Sequence, residues 1–171
     1  MNALLRSKRR LADAILAFVL SAGGATAGPW EDGVNANNRG DYEKAFQLWK
    51  LGAKQGDARA QFGLGRLYAG GKGVMKNTVE AAEWYRLAAD QGNPNAQHFL
   101  GKAYEEGRGV PQDYVLAHMW LNLAASNPAP WFELDRHEVL TRLKELTVKM
   151  TSEQIAEAQR MVREWKFNVE R

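Results

Sequence analysis

The sequence predicts an all-α chain, an α/α solenoid of antiparallel helix pairs closed by a capping helix at each end, and three observations predict it. The first is a period of 36 residues running without a gap from Asp41 to about Ala125. Laying Ala45 to Val74 over Ala81 to Val110 brings Ala45/Ala81, Leu51/Leu87, Gly56/Gly92, Gln61/Gln97, Gly65/Gly101, Tyr68/Tyr104, Gly71/Gly107 and Gly73/Gly109 into register. A third copy keeps Ala117, Trp120, Leu123, Ala124 and Ala125. A fixed period of this length marks a stacked helical array, in which one unit cannot bury its apolar face without its neighbours. The second observation is a helical stripe inside each unit. Ala45, Leu48, Trp49 and Gly52, with Ala81, Trp84, Tyr85 and Ala88 as their mates, fall at i, i+3, i+4 and i+7 and form a core face. The third is punctuation by caps and glycines at the same period.

The elements follow in order. Residues 1–27 have a basic head (Arg6, Lys8, Arg9, Arg10), an apolar stretch from Ala14 to Leu20 and the exit Ala25-Thr26-Ala27. These are the parts of a secretory signal cleaved after Ala27, and the apolar run is far short of the roughly 20 residues that span a bilayer. The mature chain is therefore expected in the periplasm or outside the cell, with no membrane association after cleavage. Residues 28–40 are expected to form an N-terminal cap, with a short helix over Pro29 to Asn38. Repeat 1 spans 41–76, repeat 2 spans 77–112 and a degenerate repeat 3 spans 113–148. In each, helix A opens at a short polar cap, Asp41, Asn77 or Asp113. Helix B opens at Asp57 and at Asn93 with Pro94 in its first turn, and ends at Gly71 and Gly107, where positive φ is expected. In repeat 3 the turn becomes Ser126-Asn127-Pro128-Ala129-Pro130, and a B helix without terminating glycines is expected from about Trp131 to Thr147. Residues 149–171 supply a C-terminal capping helix opened by a Thr151/Gln154 capping box, with Met150 and Ile155 as its staple. Ile155, Ala158, Val162 and Trp165 are placed to close the stack.

The charge balance and composition exclude several classes. Removing the four basic and one acidic residue of the signal from the 23 and 20 of the whole chain leaves 19 of each, so the mature chain has no net field to draw nucleic acid. The absence of cysteine excludes disulfides, thiolate metal sites and lipid attachment through a cysteine at the cleavage point.

The phrases LGRLYAGGKGVMKN and LGKAYEEGRGVPQD, with AEWYRLAADQGNPNAQ before the second, closely resemble the Sel-1-like repeat, a relative of the tetratricopeptide repeat. The match covers about Asp41 to Ala125, and the tail MTSEQIAEAQRMVREW is similar to the closing helix of bacterial members. The resemblance implies a Sel-1-like/tetratricopeptide-like superhelix that acts as an adaptor or scaffold for other proteins, without chemistry of its own. It implies no particular partner, because the matching residues are those that build the stack.

Other constellations carry less. His98, His118 and His137 are the candidates for acid/base or metal work, and His98 and His118 become neighbours if a B helix packs on the next A helix. There is no H-E-x-x-H and no matched carboxylate spacing. A Ser-x-x-Lys, as a hydrolase of the β-lactamase type to which some cysteine-rich relatives are linked would need, is missing at Ser126 and Ser152, which have Ala129 and Ile155 three residues on. Gly70-Gly71-Lys72-Gly73 lacks the Ser/Thr of a phosphate loop and is a repeat turn. Trp84, Trp120 and Tyr104 recur at repeat positions and are core rather than a ligand cage. Arg39-Gly40-Asp41 spells an adhesion tripeptide, but its Asp41 is a helix cap. No enzyme activity, metal or cofactor is expected. The alternatives are a histidine-based metal-binding or hydrolytic module and a self-associating structural subunit.

On helix A the positions opposite the core stripe carry Glu43, Gln47, Lys50, Lys54, Glu83, Arg86, Met119 and Asn122. If A helices line the concave side of the stack, these form a groove floor that grades from charged to neutral and apolar. Such a floor suits an extended peptide with an acidic end and an apolar anchor.

Overall fold

The computed structural model describes residues 28–127 and 136–169. The export signal read in 1–27 and the expected start of a helix near Trp131 lie outside the described residues. Within them are eight helices and no strand: α1 (Pro29–Asn38), α2 (Tyr42–Lys54), α3 (Ala58–Gly70), α4 (Thr78–Asp90), α5 (Pro94–Glu106), α6 (Tyr114–Ser126), α7 (Arg136–Val148) and α8 (Ser152–Val169). From α1 to α6 each helix packs on the one before and the one after, and the broadest interfaces join α1 to α2, α3 to α4 and α5 to α6. The architecture is the α/α solenoid that the period requires.

The starts of α2 to α6 are fixed by side-chain caps. The carboxylate of Asp41 accepts from the Lys44 N–H at 3.2 Å, Asn77 from Val79 and Glu80 at 3.1 and 3.2 Å, and Asp113 from Leu116 at 3.0 Å. Asp57 and Asn93 do the same for α3 and α5, accepting from Arg59 and Ala96 at 2.9 and 3.0 Å. Each such cap is worth about 1 kcal/mol. The capping box before α8 is reciprocal: the Thr151 N–H donates to Gln154 Oε1 at 2.9 Å and the Gln154 N–H to Thr151 Oγ1 at 3.3 Å. Helices α3 and α5 end in left-handed glycines, Gly71 at φ 67° and Gly107 at φ 65°, and the next N–H reaches back to Leu67 or Ala103.

One inter-helix contact repeats along the stack. The ring of Trp49 lies on Gly33, that of Tyr85 on Gly65 and the side chain of Leu121 on Gly101, so closely that a Cβ at any of the three glycines would overlap its partner. Glycine is thus what lets the α1–α2, α3–α4 and α5–α6 backbones approach. Leu64, Leu67, Leu100 and Leu121 fill the layer around these contacts and are almost fully buried, each stabilising by roughly 1.5–3 kcal/mol. The turns between A and B helices are laced together as well: Asn93 Nδ2 donates to the Ala58 carbonyl at 3.3 Å and Asn127 Nδ2 to the Gly92 carbonyl at 2.9 Å.

Helix α1 spans the expected Pro29 to Asn38, yet it is built as a repeat helix as well as an end. Its Gly33 meets Trp49 as Gly65 meets Tyr85. The Asp41 N–H donates to the Ala36 carbonyl at 3.0 Å, where Asn77 and Asp113 donate to the Tyr68 and Tyr104 carbonyls. The chain from Gly33 to Trp49 is four residues shorter than from Gly65 to Tyr85. The Gly-x-Gly-Val turn is what those four residues would have supplied.

The C-terminal end departs from the solenoid. Both α7 and α8 pack on α6, and α8 takes its place there rather than against α7. Ala158 and Val162 are buried in this contact, and Trp165 sets its ring edge-on to Trp120 with centroids 6.4 Å apart.

Candidate protein-docking surfaces

The eight residues expected to floor a groove do not share one environment. Glu43, Gln47, Lys50, Lys54, Glu83 and Arg86 are exposed on α2 and α4, and Asn122 is half-buried on α6. Met119 is only 5% exposed and belongs to the core. The apolar end of the row is therefore packed, and the physical reason is α8. Where α4 has Val79, Glu83 and Leu87, all exposed, α6 has Val115, Met119 and Leu123, all buried or half-buried. The change from charged to apolar along the row provides a seat for the chain's own last helix.

Concavities of the structure lie elsewhere. Two adjoining cavities of about 350 and 360 Å³ share Ala69, Tyr85 and Phe99, and none of the eight row residues lines either. They open where the small side chains Ala69, Ala81, Ala82 and Ala103 leave the space between α3, α4 and α5 incompletely filled. The aromatic floor is Tyr85 stacked on Phe99 at 5.4 Å, with Phe62 5.6 Å from Phe99. Burial raises the Tyr85 hydroxyl far above its ordinary pKa, so it stays neutral. Around the opening stand Arg66, Lys72, Lys76, Lys102 and Arg108 against one carboxylate, Glu106, which pairs with Arg108 at 2.7 Å. Lys72 also lies 5.0 Å from the Tyr42 ring. The groove is lined by α3, α4 and α5 alike, so the B helices α3 and α5 share it with the A helix α4.

The histidines are distributed differently from a reactive site. His98 on α5 and His118 on α6 are buried on helices that pack together, each with Nδ1 lacking a hydrogen-bond partner, while His137 is exposed on α7. Burial, reinforced by the positive charge of Arg142, depresses His98 to a pKa of about 4, and burial alone depresses His118. Both are neutral near pH 7. Among the described residues no group of three or more His, Asp or Glu side chains is arranged to hold a metal ion.

Sequence reasoning missed the clamp at the end of α5. Glu105 is 9% exposed, and its carboxylate accepts from Arg142 Nη1 at 2.8 Å and from Lys149 Nζ at 3.2 Å, tying α5 to α7 and to the turn beyond it. Burial by itself would raise the Glu105 carboxyl; the hydrogen bonds from Arg142 and Lys149 outweigh it and leave the pKa lowered. The partners lie 37 and 44 residues away. No local pattern marks such a pairing.

An array of antiparallel helix pairs with an apolar groove defines a helical-repeat protein. The family model described as Sel1 repeat matches residues 32–57, 58–93 and 94–128, more than half of the chain, and the chain belongs to that family. Repeats of this family mediate protein–protein interaction and are typically non-catalytic scaffolds. The chain is similar to the solved structure of c5321, a protective antigen present in uropathogenic Escherichia coli strains displaying an SLR fold, with 33% identity and a TM-score of 0.71 over 84% of this chain. It spans 30% of that protein's length. A Sel1 repeat protein from Oxalobacter formigenes is 40% identical over 49% of this chain and 24% of its own, with a TM-score of 0.48. No curated protein matches the sequence.

The matched units begin at 32, 58 and 94, half a unit away from the cut made at Asp41 and Asn77. In that phase the first helix of each unit is α1, α3 or α5. In that phase α3 and α5 open the second and third matched units and share the groove lining with α4.

Proposed function

We propose that this protein is an exported adaptor that binds an extended, acidic segment of another protein, with an apolar anchor, in the groove between α3, α4 and α5. The observation that carries the reading is the groove itself: an aromatic and alanine floor ringed by five cations and one carboxylate. Apolar anchoring supplies affinity, and the cationic rim selects an acidic partner and speeds encounter. Export rests on the basic head, apolar stretch and Ala25-Thr26-Ala27 of the first 27 residues. After cleavage the protein acts in the periplasm or outside the cell, without cofactor, nucleic acid or membrane.

A fluorescent peptide alternating Asp/Glu with Phe and Leu tests the groove. Lys76→Glu combined with Lys102→Glu is expected to weaken binding by about tenfold or more while the helical melt is retained, and the difference shrinks at high salt. The reversal Lys50→Glu with Lys54→Glu on the outer row is expected to leave affinity unchanged. The opposite pattern would return the site to that row.

A further inference from the structure

The seat that α8 occupies on α6 recurs one repeat earlier on α4. Trp165 sits edge-on to Trp120 and comes within 3.9 Å of the Cβ position of Gly92, in the turn between α4 and α5. Counting back 36 residues from those two positions gives Trp84 on α4 and Gly56 in the turn between α2 and α3. Trp84 is half-buried, and the space at Gly56 is open, with no atom within 4 Å of its Cβ position. Along the helix the seat on α6 is Val115, Met119 and Leu123; on α4 it is Val79, Glu83 and Leu87. Val79 is 54% and Leu87 48% exposed. These three positions are four residues apart and share one helix face. Half-exposed large aliphatics on either side of Glu83, beside a half-buried indole, mark an interaction surface rather than scattered surface hydrophobes.

We propose that this outer face of α4 docks an amphipathic helix of a partner protein, in the pose α8 takes on α6, with an aromatic side chain seated between Trp84 and Gly56. The chemistry of the docked helix follows from what already fits the related seat. Helix α8 presents Ala158, Val162 and Trp165 at i, i+4 and i+7, a small residue for close approach, a branched aliphatic and an aromatic. Two substitutions between the seats set the rest: Met119 is replaced by Glu83 and Asn122 by Arg86. The partner helix therefore carries a basic residue facing Glu83, while Arg86 is already engaged by the hydroxyl and ring of Tyr104. This surface is separate from the groove, so the protein can hold two partners at once.

The probe is a synthetic peptide with the 18-residue sequence of α8, Ser152 to Val169, titrated into the isotope-labelled full chain. Saturable binding is expected, with shifts of the Gly56 amide and the Trp84 indole N–H while those of Gly92 and Trp120 stay in place. Leu87→Glu, at an exposed position, is expected to leave the melt unchanged and weaken the peptide about tenfold or more. Lys76→Glu with Lys102→Glu is expected to have no effect, which keeps failure of the groove distinct from failure of this face. Absence of saturable shifts, or shifts at Gly92 and Trp120 from exchange with the resident helix, would overturn the proposal. So would concentration-dependent dimerisation that perturbs Gly56 and Trp84 without peptide, which would make the occupant a second copy.

Discussion

Gly109 lies directly against the backbone carbonyl of Thr78, and a Cβ at that glycine would overlap the carbonyl oxygen. Gly73 stands in the same relation to Tyr42 one unit earlier, so the second glycine of each Gly-x-Gly turn buttresses the start of the A helix before it. Gly107 differs: its φ is 65°, but the nearest atom to an added Cβ is 3.5 Å away. Gly107→Ala is expected to cost about 1 kcal/mol, from backbone conformation alone. Gly109→Ala meets both the positive φ of 75° and a backbone clash, and is expected to cost about 2–4 kcal/mol. Urea melts in which the two variants are equally stable would disprove the buttress.

The Glu105 clamp predicts a coupled loss. Glu105→Gln removes the charge that holds Arg142, itself half-buried, and is expected to destabilise by roughly 1–3 kcal/mol, reduced from the fully buried case because Lys149 is exposed. A double-mutant cycle with Arg142→Met should show a coupling free energy of about 1 kcal/mol or more. Additive single effects would mean that the contact carries no stability.

The buried histidines give an acid-side slope. The unfolded chain takes up a proton near pH 6.5, whereas folded His98 does so only near pH 4, so the unfolded state binds more protons between these values. Stability is therefore full above about pH 6.5 and falls as the pH drops toward 4, by about 3 kcal/mol from His98. His118, also depressed, adds in the same direction. Glu105, lowered by its partners, keeps its contribution above the ordinary carboxylate range and loses it only as the pH falls further, through its folded pKa. His98→Leu should flatten the profile between pH 6.5 and 4; an unchanged slope would rule His98 out as its source.

Export predicts a mature N-terminus at Gly28, one residue before α1 begins. Intact mass of protein recovered from the periplasmic or extracellular fraction measures it directly. Native protein that still starts at Met1 would refute cleavage.

The parts of the fold that repeat were open to sequence reasoning because they are local. A cap at Asp41, Asn77 or Asp113 needs only a short polar side chain before a periodic run, and a terminating glycine needs only its own φ. The parts that were hidden depend on what packs where. Met119 reads as an accessible anchor until α8 is seen to fold back on α6. The available signal was the joint change from Val79, Glu83 and Leu87 to Val115, Met119 and Leu123, since one apolar substitution is ambiguous whereas three on one face announce a neighbour. Helix α1 reads as a cap because the 36-residue period is counted from Asp41, after it ends. The spacing of Gly33 to Trp49, compared with Gly65 to Tyr85, carried the missing information. The groove was out of reach, because cavities arise from what small side chains fail to fill.

The asparagine lacing of the turns bears on how such a chain can change length. Asn93 Nδ2 reaches back to Ala58 and Asn127 Nδ2 to Gly92, and the glycine seats likewise join helices adjacent in sequence. A duplicated copy of residues 58–93 inserted in frame would therefore meet, at both of its seams, the same donors, acceptors and glycines that the existing units meet. The two ends would move farther apart while every junction kept its chemistry. The array behaves as a ruler graduated in single units, whose reach is set by the number of copies.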